Sequence, residues 1–320
     1  MTPGWLRFLP LGFPSANVVV TTRGARVLVD TGYGSDVPRL EAALAAAGAP
    51  AEGLGLVVNT HWHSDHVGGN GHLQSAYGTP VAAAAPDAEA VNARREDACL
   101  AEWLDQPVEA YRVDRALRPG ESLRAGPVEW EVLATPGHTP AHLSLHQPEH
   151  GLLVVGDALH ADDVGWLNVA LDGPEVAETA LATVEMLAGL DVRVAFSGHG
   201  PAITDPPAAF AAARSRYERM LGDPVRAARH ACKRIVAFAL MIHDGIPRED
   251  VDAYLAGRAW LRDHAAVLGI TPEDLAADLL ADLRRAGAIG ERDGRLVCLT
   301  PHERPPPGWR AGPGYPRDWE

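Results

Sequence analysis

His61-Trp62-His63-Ser64-Asp65-His66 gathers three imidazoles and a carboxylate within six residues. Composition alone would produce a His-x-His-x-Asp-His pattern ~0.002 times in a chain of this length, so chance does not account for it. Imidazole and carboxylate are a metal-ligand set that suits zinc, with manganese or iron as alternatives. Two His separated by one residue, at the end of an extended strand, point to the same side and can hold one cation. Asp65 and His66 follow where the chain turns, and can face a second cation beside the first. Three further candidates share one design. Leu133-Ala-Thr-Pro-Gly137 leads into His138, the apolar run from Leu152 to Gly156 ends at Asp157, and Val194-Ala-Phe-Ser-Gly198 ends at His199. Each puts a ligating side chain just past a buried strand, next to a glycine that allows close backbone approach.

The elements that must position these residues follow from periodicity. Residues 17–22 and 26–30 read as strands joined by a turn at Gly24, and 36–47 as a helix stopped by Gly48. Further strands are predicted at 54–58, 79–83, 128–133, 143–146, 152–155 and 192–196, with helices at 175–190 and 207–221. Strands alternating with helices indicate a layered α/β domain over residues 1–222. Residues 223–300 differ. Helical patterns over 225–243 and 247–261 precede Thr271-Pro-Glu-Asp274, in which Thr caps a new helix and Pro takes its first turn. Asp293-Gly294 then centres a two-residue hairpin. Three helices and a hairpin suggest a small winged-helix-like module, followed by a Pro/Gly-rich tail over 301–320.

Composition removes several function classes. The chain has 320 residues and a formal charge of −14. Val225 to the C-terminus is neutral, with 14 basic and 14 acidic residues, so the first 224 residues carry the whole charge. A nucleic-acid enzyme gathers basic residues to neutralise phosphates, and this chain does not. The helix before the hairpin carries Glu273, Asp274, Asp278 and Asp282 against Arg284 and Arg285, the wrong balance for reading a groove. Packing, dimerisation or pocket closure suits the C-terminal module better. No stretch reaches the roughly 18 apolar residues of a membrane helix, and Met1 to Phe13 lacks a signal peptide's features, so the expected place is the cytoplasm. Cys99, Cys232 and Cys298 have neither zinc-knot nor redox-pair spacing.

The four-part pattern of His61-x-His63-x-Asp65-His66, Thr135-Pro-Gly-His138-Thr, Gly156-Asp157 and Gly198-His199 resembles the metal motifs of the metallo-β-lactamase superfamily over about residues 15 to 205. The resemblance implies an αββα sandwich with two divalent metal ions at one edge between its sheets. His61, His63 and His138 would bind the first, Asp65, His66 and His199 the second, and Asp157 would bridge them. Asp30, in Val29-Asp-Thr-Gly32, matches the Asp that buttresses the metal loops from behind. Members with Cys at the position of Asp157 are excluded, and a Glu where His63 stands marks the diiron oxygen reductases. The all-His/Asp set is similar to glyoxalase II, ribonuclease Z and lactonase-type members, although Ala141 replaces the usual Gly of the glyoxalase II motif. No basic glutathione-binding cluster is visible in the C-terminal part.

The chemistry implied is hydrolysis by a metal-bridging hydroxide, since metals lower the pKa of water from about 15.7 toward about 7. The nucleophile would attack an ester, thioester or lactone carbonyl of a small substrate, with Asp65 and Asp157 as the catalytic carboxylates. Two cations, two carboxylates and one hydroxide leave the site at roughly +1, which draws an anionic substrate. The loop after Asp157 offers His160, Trp166 and Asn168 as pocket residues, with His142 beside His138. Residues 91–111 read as core packing or a partial cover. Phosphodiester or RNA hydrolysis, disfavoured by charge, and mononuclear-iron persulfide oxidation are the alternatives.

Overall fold

The computed structural model describes residues 2–311, so residues 312–320 of the expected tail lie outside the described residues. Six strands form the first sheet in chain order: Leu6–Leu9 (β1), Val18–Thr21 (β2), Val27–Val29 (β3), Leu56–Val58 (β4), Val81–Ala84 (β5) and Arg115–Leu117 (β6). β1 to β3 are antiparallel and β3 to β6 parallel. Parallel neighbours need crossovers. Val37–Ala46 (α1), Ser64–Val67 (α2), Asn70–Tyr77 (α3), Ala85–Asn92 (α4) and Ala101–Leu104 (α5) supply them. The second sheet contains Ser122–Ala125 (β7), Val128–Ala134 (β8), Leu143–Gln147 (β9), Leu152–Gly156 (β10) and Val194–Ser197 (β11), in the order β11-β10-β9-β8-β7. Its parallel pair, β10 and β11, is bridged by Val169–Asp172 (α6) and Val176–Ala188 (α7).

Strand alternation sorts the side chains into layers. Val19 of β2, Ala82 and Ala84 of β5, Leu152 and Val154 of β10 and Phe196 of β11 meet between the sheets. Their sequence neighbours Val18, Val20, Val81 and Ala83 face outward against Leu40 and Leu44 of α1 and Leu73 of α3. Leu153, Val155 and Ala195 face α7 and Pro206–Leu221 (α8) on the far side. Both faces of β2, β5 and β10 are covered, which gives an αββα sandwich.

Pro224–Ile242 (α9) leaves this core. Ala227 and Ala228 pack with the second sheet's outer layer, whereas Cys232, Ile235 and Leu240 belong to a third core around the fully buried Trp260. Leu104 of α5 joins that third core, so residues 91–111 tie the two parts together. The helix predicted over 247–261 is not one helix. Ile246–Pro247 (β12) pairs with Arg295–Cys298 (β14), and Val251–Ala256 (α10) ends at Gly257. Arg258 is extended, and the chain restarts as Ala259–Leu268 (α11). Thr271 caps Pro272–Arg285 (α12), accepting from the Asp274 N–H at 3.1 Å. Ile289–Arg292 (β13) turns into β14 through Asp293 and Gly294, both at positive φ, the two-residue turn expected.

Asp87 is a buried acid outside the site. Asp87 in α4 is 3 % exposed, its Oδ2 lacks a hydrogen-bond partner, and burial pushes its carboxyl up to about 7. A raised acid gives stability that is complete below its ordinary range, falls as pH rises from about 4 to 7, and is gone above. Asp87→Asn should therefore gain on the natural chain by about 2 kcal/mol or more between pH 4.5 and pH 8. Urea melts of both proteins at the two pH values measure the difference, and a gap independent of pH would contradict it.

Candidate metal centre

Every expected ligand leaves the end of a strand. Asp30 directly follows β3, the His61 turn follows β4, His138 follows β8, Asp157 directly follows β10 and His199 follows β11. All converge on one edge of the sandwich. Behind them is a buried polar layer. Asp30 sits at φ 63 and is 2 % exposed. Its Oδ1 accepts from the Thr60 N–H at 2.8 Å, and its Oδ2 accepts from the Thr60 hydroxyl and from His66 Nδ1, each at 2.8 Å. Having given its proton to Asp30, the Thr60 oxygen accepts from His61 Nδ1 at 3.1 Å. His138 Nδ1 donates to the Trp166 carbonyl at 2.7 Å. These partners fix the tautomers, leaving the Nε2 lone pairs of His61, His66 and His138 facing forward.

In front, the donor atoms gather in two sets. His61 Nε2 lies 3.1 Å from His63 Nδ1, which lies 2.9 Å from His138 Nε2. His199 Nε2 lies 3.1 Å from Asp65 Oδ2, and His66 Nε2 lies 3.9 Å from that same oxygen. Asp157 stands between the sets, with Oδ1 3.4 Å from His66 Nε2 and Oδ2 3.6 Å from His199 Nε2 and 3.7 Å from His138 Nε2. His61, His63 and His138 offer three atoms within 4.8 Å of one another, as do Asp65, His66 and His199. Ligands around a tetrahedral zinc at 2.0–2.1 Å stand about 3.3 Å apart, close to the spacing of the three His nitrogens. His66 Nε2 and Asp157 Oδ1 are buried without hydrogen-bond partners, as atoms placed to bind a cation would be. The donor set fits a pair of divalent cations.

Charge supports the fit. Burial, with neighbouring imidazoles adding to it, holds His61 and His63 well below the ordinary histidine range. His66 moves the other way. Burial opposes its charging, but Asp30, Asp157 and Asp65 together overcome that and raise it well above. Burial likewise works against the Asp157 carboxylate, and His199, His66 and His160 together hold it well below its usual value. Three buried carboxylates thus demand positive charge at this point.

A cavity of about 130 Å³ opens over the centre. His63, Asp65, His138, Asp157 and His199 form its floor, and Trp166 and Phe13 flank it. Trp166 stacks on His63 with centroids 5.3 Å apart, and Phe13 on His199 at 4.5 Å. Three expected pocket residues, His142, Asn168 and His160, do not line it. His142 lies behind Asp157, accepting its N–H at 3.1 Å while Nδ1 meets Thr135 Oγ1 at 2.8 Å, and burial pushes it down to about 3. Asn168 caps α6, accepting from the Leu171 N–H at 3.2 Å. His160 is buried with Nε2 4.0 Å from Asp157 Oδ2 and is not part of the wall. Leu104 and Gln106 lie in the 91–111 segment read as core packing or a partial cover, but apart from Trp166 no other wall residue was named from the sequence. Arg234, Ile235, Ala237, Phe238 and Met241 come from α9, with Leu104, Gln106 and Thr300 around the rim. One signal was available, since residues 235–242 are apolar without interruption and a helix apolar on all faces must be covered on more than one side.

Comparison with known proteins adds independent findings. A family model described as the metallo-beta-lactamase superfamily matches residues 10–199, more than half of the chain. A hydroxyacylglutathione hydrolase from Cereibacter sphaeroides is 33% identical over 132 residues, 41% of this chain and 44% of that protein. The one from Methylococcus capsulatus is 35% identical over 114 residues, 36% and 37% of the two chains. The chain spans less than half the length of these curated relatives. Among solved structures, a metallo-beta-lactamase family protein from Thermus thermophilus aligns at TM-score 0.57 and 24% identity, covering 92% of this chain and 99% of that one. A subclass B3 metallo-beta-lactamase of Bradyrhizobium japonicum aligns at 0.54 and 19%, covering 71% and 93%. At these identities the structures speak for the fold.

Gly198 gives the site a direct test. A methyl group there would fall on Asp157 Oδ1 and lie 2.6 Å from His66 Cε1. Gly198→Ala should keep its far-UV circular dichroism while losing at least one zinc per chain by elemental analysis. Full zinc content in that variant would contradict the geometry.

Proposed function

The chain belongs to the metallo-β-lactamase superfamily, and on that footing we propose that it is a binuclear metal-dependent hydrolase acting on the ester, thioester or lactone carbonyl of a small substrate. The observation that carries this reading is Asp157. Its two oxygens lie 3.4 to 3.7 Å from ligand nitrogens of both donor sets, so one carboxylate can serve two cations. His61, His63 and His138 would hold one cation, and Asp65, His66 and His199 the other. Zinc suits this donor set. Bound divalent cations supply acidified water at neutral pH and polarise a carbonyl oxygen.

The chain's own residues do the rest. Asp30 and Thr60 lock the rings of His66 and His61 from behind, which sets the donor directions before substrate arrives. Asp65 is the carboxylate on the cavity floor whose Oδ2 is engaged by His199. It stays ionised, because His66 and His199 together outweigh the opposing effect of burial. From that position it accepts the proton of the attacking water and passes it to the leaving oxygen or sulfur. Water is consumed, the carbonyl carbon's bond to that leaving atom breaks, and a carboxylate and an alcohol or thiol result. Trp166 and Phe13 exclude bulk solvent from either side.

The similarity to hydroxyacylglutathione hydrolases supports thioester chemistry. The net charge of −14 and the absence of a basic run in the sequence weigh against phosphodiesters. The full chain loaded with zinc should hydrolyse members of a thioester and lactone panel at least about 100-fold faster, in kcat/KM, than bis-p-nitrophenyl phosphate. Faster phosphodiester cleavage, or a single bound iron with oxygen uptake, would overturn the proposal.

A further inference from the structure

Above its His/Asp floor the cavity is walled almost entirely by hydrocarbon. Phe13 and Trp166 stand on either side of the metal ligands, α9 presents Ile235, Phe238 and Met241, and Leu104 closes the opposite side. Above the floor, the polar side chains that reach this space include Gln106, Arg234 and Thr300. Gln106 Oε1 accepts from the Ser64 hydroxyl at 2.8 Å. Arg234, the one charged side chain of the wall, has its Nη1 2.9 Å from Asp163 Oδ2. Thr300 adds a hydroxyl to the wall. The size is equally restrictive. A cavity of about 130 Å³ is near that of engineered apolar cavities of roughly 150 Å³ that admit benzene.

We infer that the site retains the acyl half of its substrate, and that this half is a short, uncharged apolar group of about four to seven carbons, branched or aromatic. The inference rests on the hydrolase reading and names the part of the substrate that reading leaves open. The carbonyl lies at the His/Asp floor, where positive charge also attracts the product carboxylate. The hydrocarbon body lies against Ile235, Phe238 and Met241. A hydroxyl or second carboxylate lodged against Ile235, Phe238 and Met241 would be stripped of water with no partner on those side chains. The walls therefore select against hydroxyacyl and dicarboxylic acyl groups. The leaving group points out through the mouth and is bound weakly.

The test uses the zinc-loaded full chain and thioesters that share one leaving group, N-acetylcysteamine, with acetyl, lactoyl, succinyl, hexanoyl and phenylacetyl as acyl groups. Each methylene that is fully buried contributes up to about fourfold. With part of the chain left at the mouth, hexanoyl and phenylacetyl should exceed acetyl and lactoyl at least tenfold in kcat/KM, with succinyl lowest. Binding gives a readout independent of turnover. By calorimetry, hexanoate and phenylacetate should bind at least tenfold more tightly than lactate and succinate. Ala237→Phe, which narrows the cavity, should lower the phenylacetyl-to-acetyl ratio at least fivefold. Turnover without this ranking, together with equal carboxylate binding, overturns the apolar-acyl inference and leaves the hydrolase reading standing. Tight hexanoate binding with no thioester or ester turnover removes the hydrolase reading and keeps the pocket assignment. Neither turnover nor selective binding removes both.

Discussion

Three buried carboxylates within one strand-end cluster dictate the rest of the molecule. Asp30, Asp65 and Asp157 are each less than a tenth exposed, and burying a charge is tolerable only where opposite charge and hydrogen bonds meet it. The protein supplies Thr60 and the imidazoles, and the surrounding carboxylates raise His66 well above the ordinary histidine range. Two divalent cations would answer the same demand more fully, because every forward-facing lone pair would then have a partner. Side chains arriving from such distant points in the sequence must be held to within a fraction of an ångström, so each follows the end of a sheet strand. Glycine completes the arrangement at Gly198 and Gly165, where any side chain would collide with Asp157.

The C-terminal helices belong to this design and are not an appendage. α9 spans two hydrophobic cores and gives the cavity an entire wall. Around it, Asp163 in the loop after Asp157 is gripped by Arg216 and Arg234, each at 2.9 Å, which sets the path of the chain leading to Trp166. On the other side Asp105 meets Arg258 at 2.9 Å and accepts from the Tyr254 hydroxyl at 2.9 Å, while Trp103 donates to Asp263 at 2.7 Å. Leu104 and Gln106, between and beside these anchors, are thereby fixed at the rim. The metal loops set the chemistry, and the packing of α9 to α11 sets the shape of the space above it.

What the sequence made legible follows the physics of each signal. Local patterns read well: the ligand-bearing turns, the Thr271 cap and the Asp293-Gly294 hairpin each depend on residues a few positions apart. The strands at β2, β5 and β10 were visible because continuous apolar runs mark strands covered on both faces. β1, β6 and β7 were not, since edge strands with alternating exposure and only three or four residues carry little pattern. The helix expected over 247–261 starts late because Pro247 pairs with Arg295, and it is broken where α10 ends at Gly257 and Arg258 is extended. His142 and Asn168 were placed by proximity in sequence to ligands, but one braces the Asp157 backbone and the other caps a helix. Phe13, Gln106 and Thr300 reach the cavity through tertiary packing alone, and nothing in their local sequence announces it.

The central claim is that Asp157 joins two cations in a single centre. Anomalous diffraction from crystals of the zinc-loaded protein, collected at the zinc edge, measures this most directly. The account expects two peaks about 3.5–4 Å apart, one bounded by His61, His63 and His138 and one by Asp65, His66 and His199, with an Asp157 oxygen on each. A single peak, or two peaks of which one is out of reach of Asp157, would contradict it.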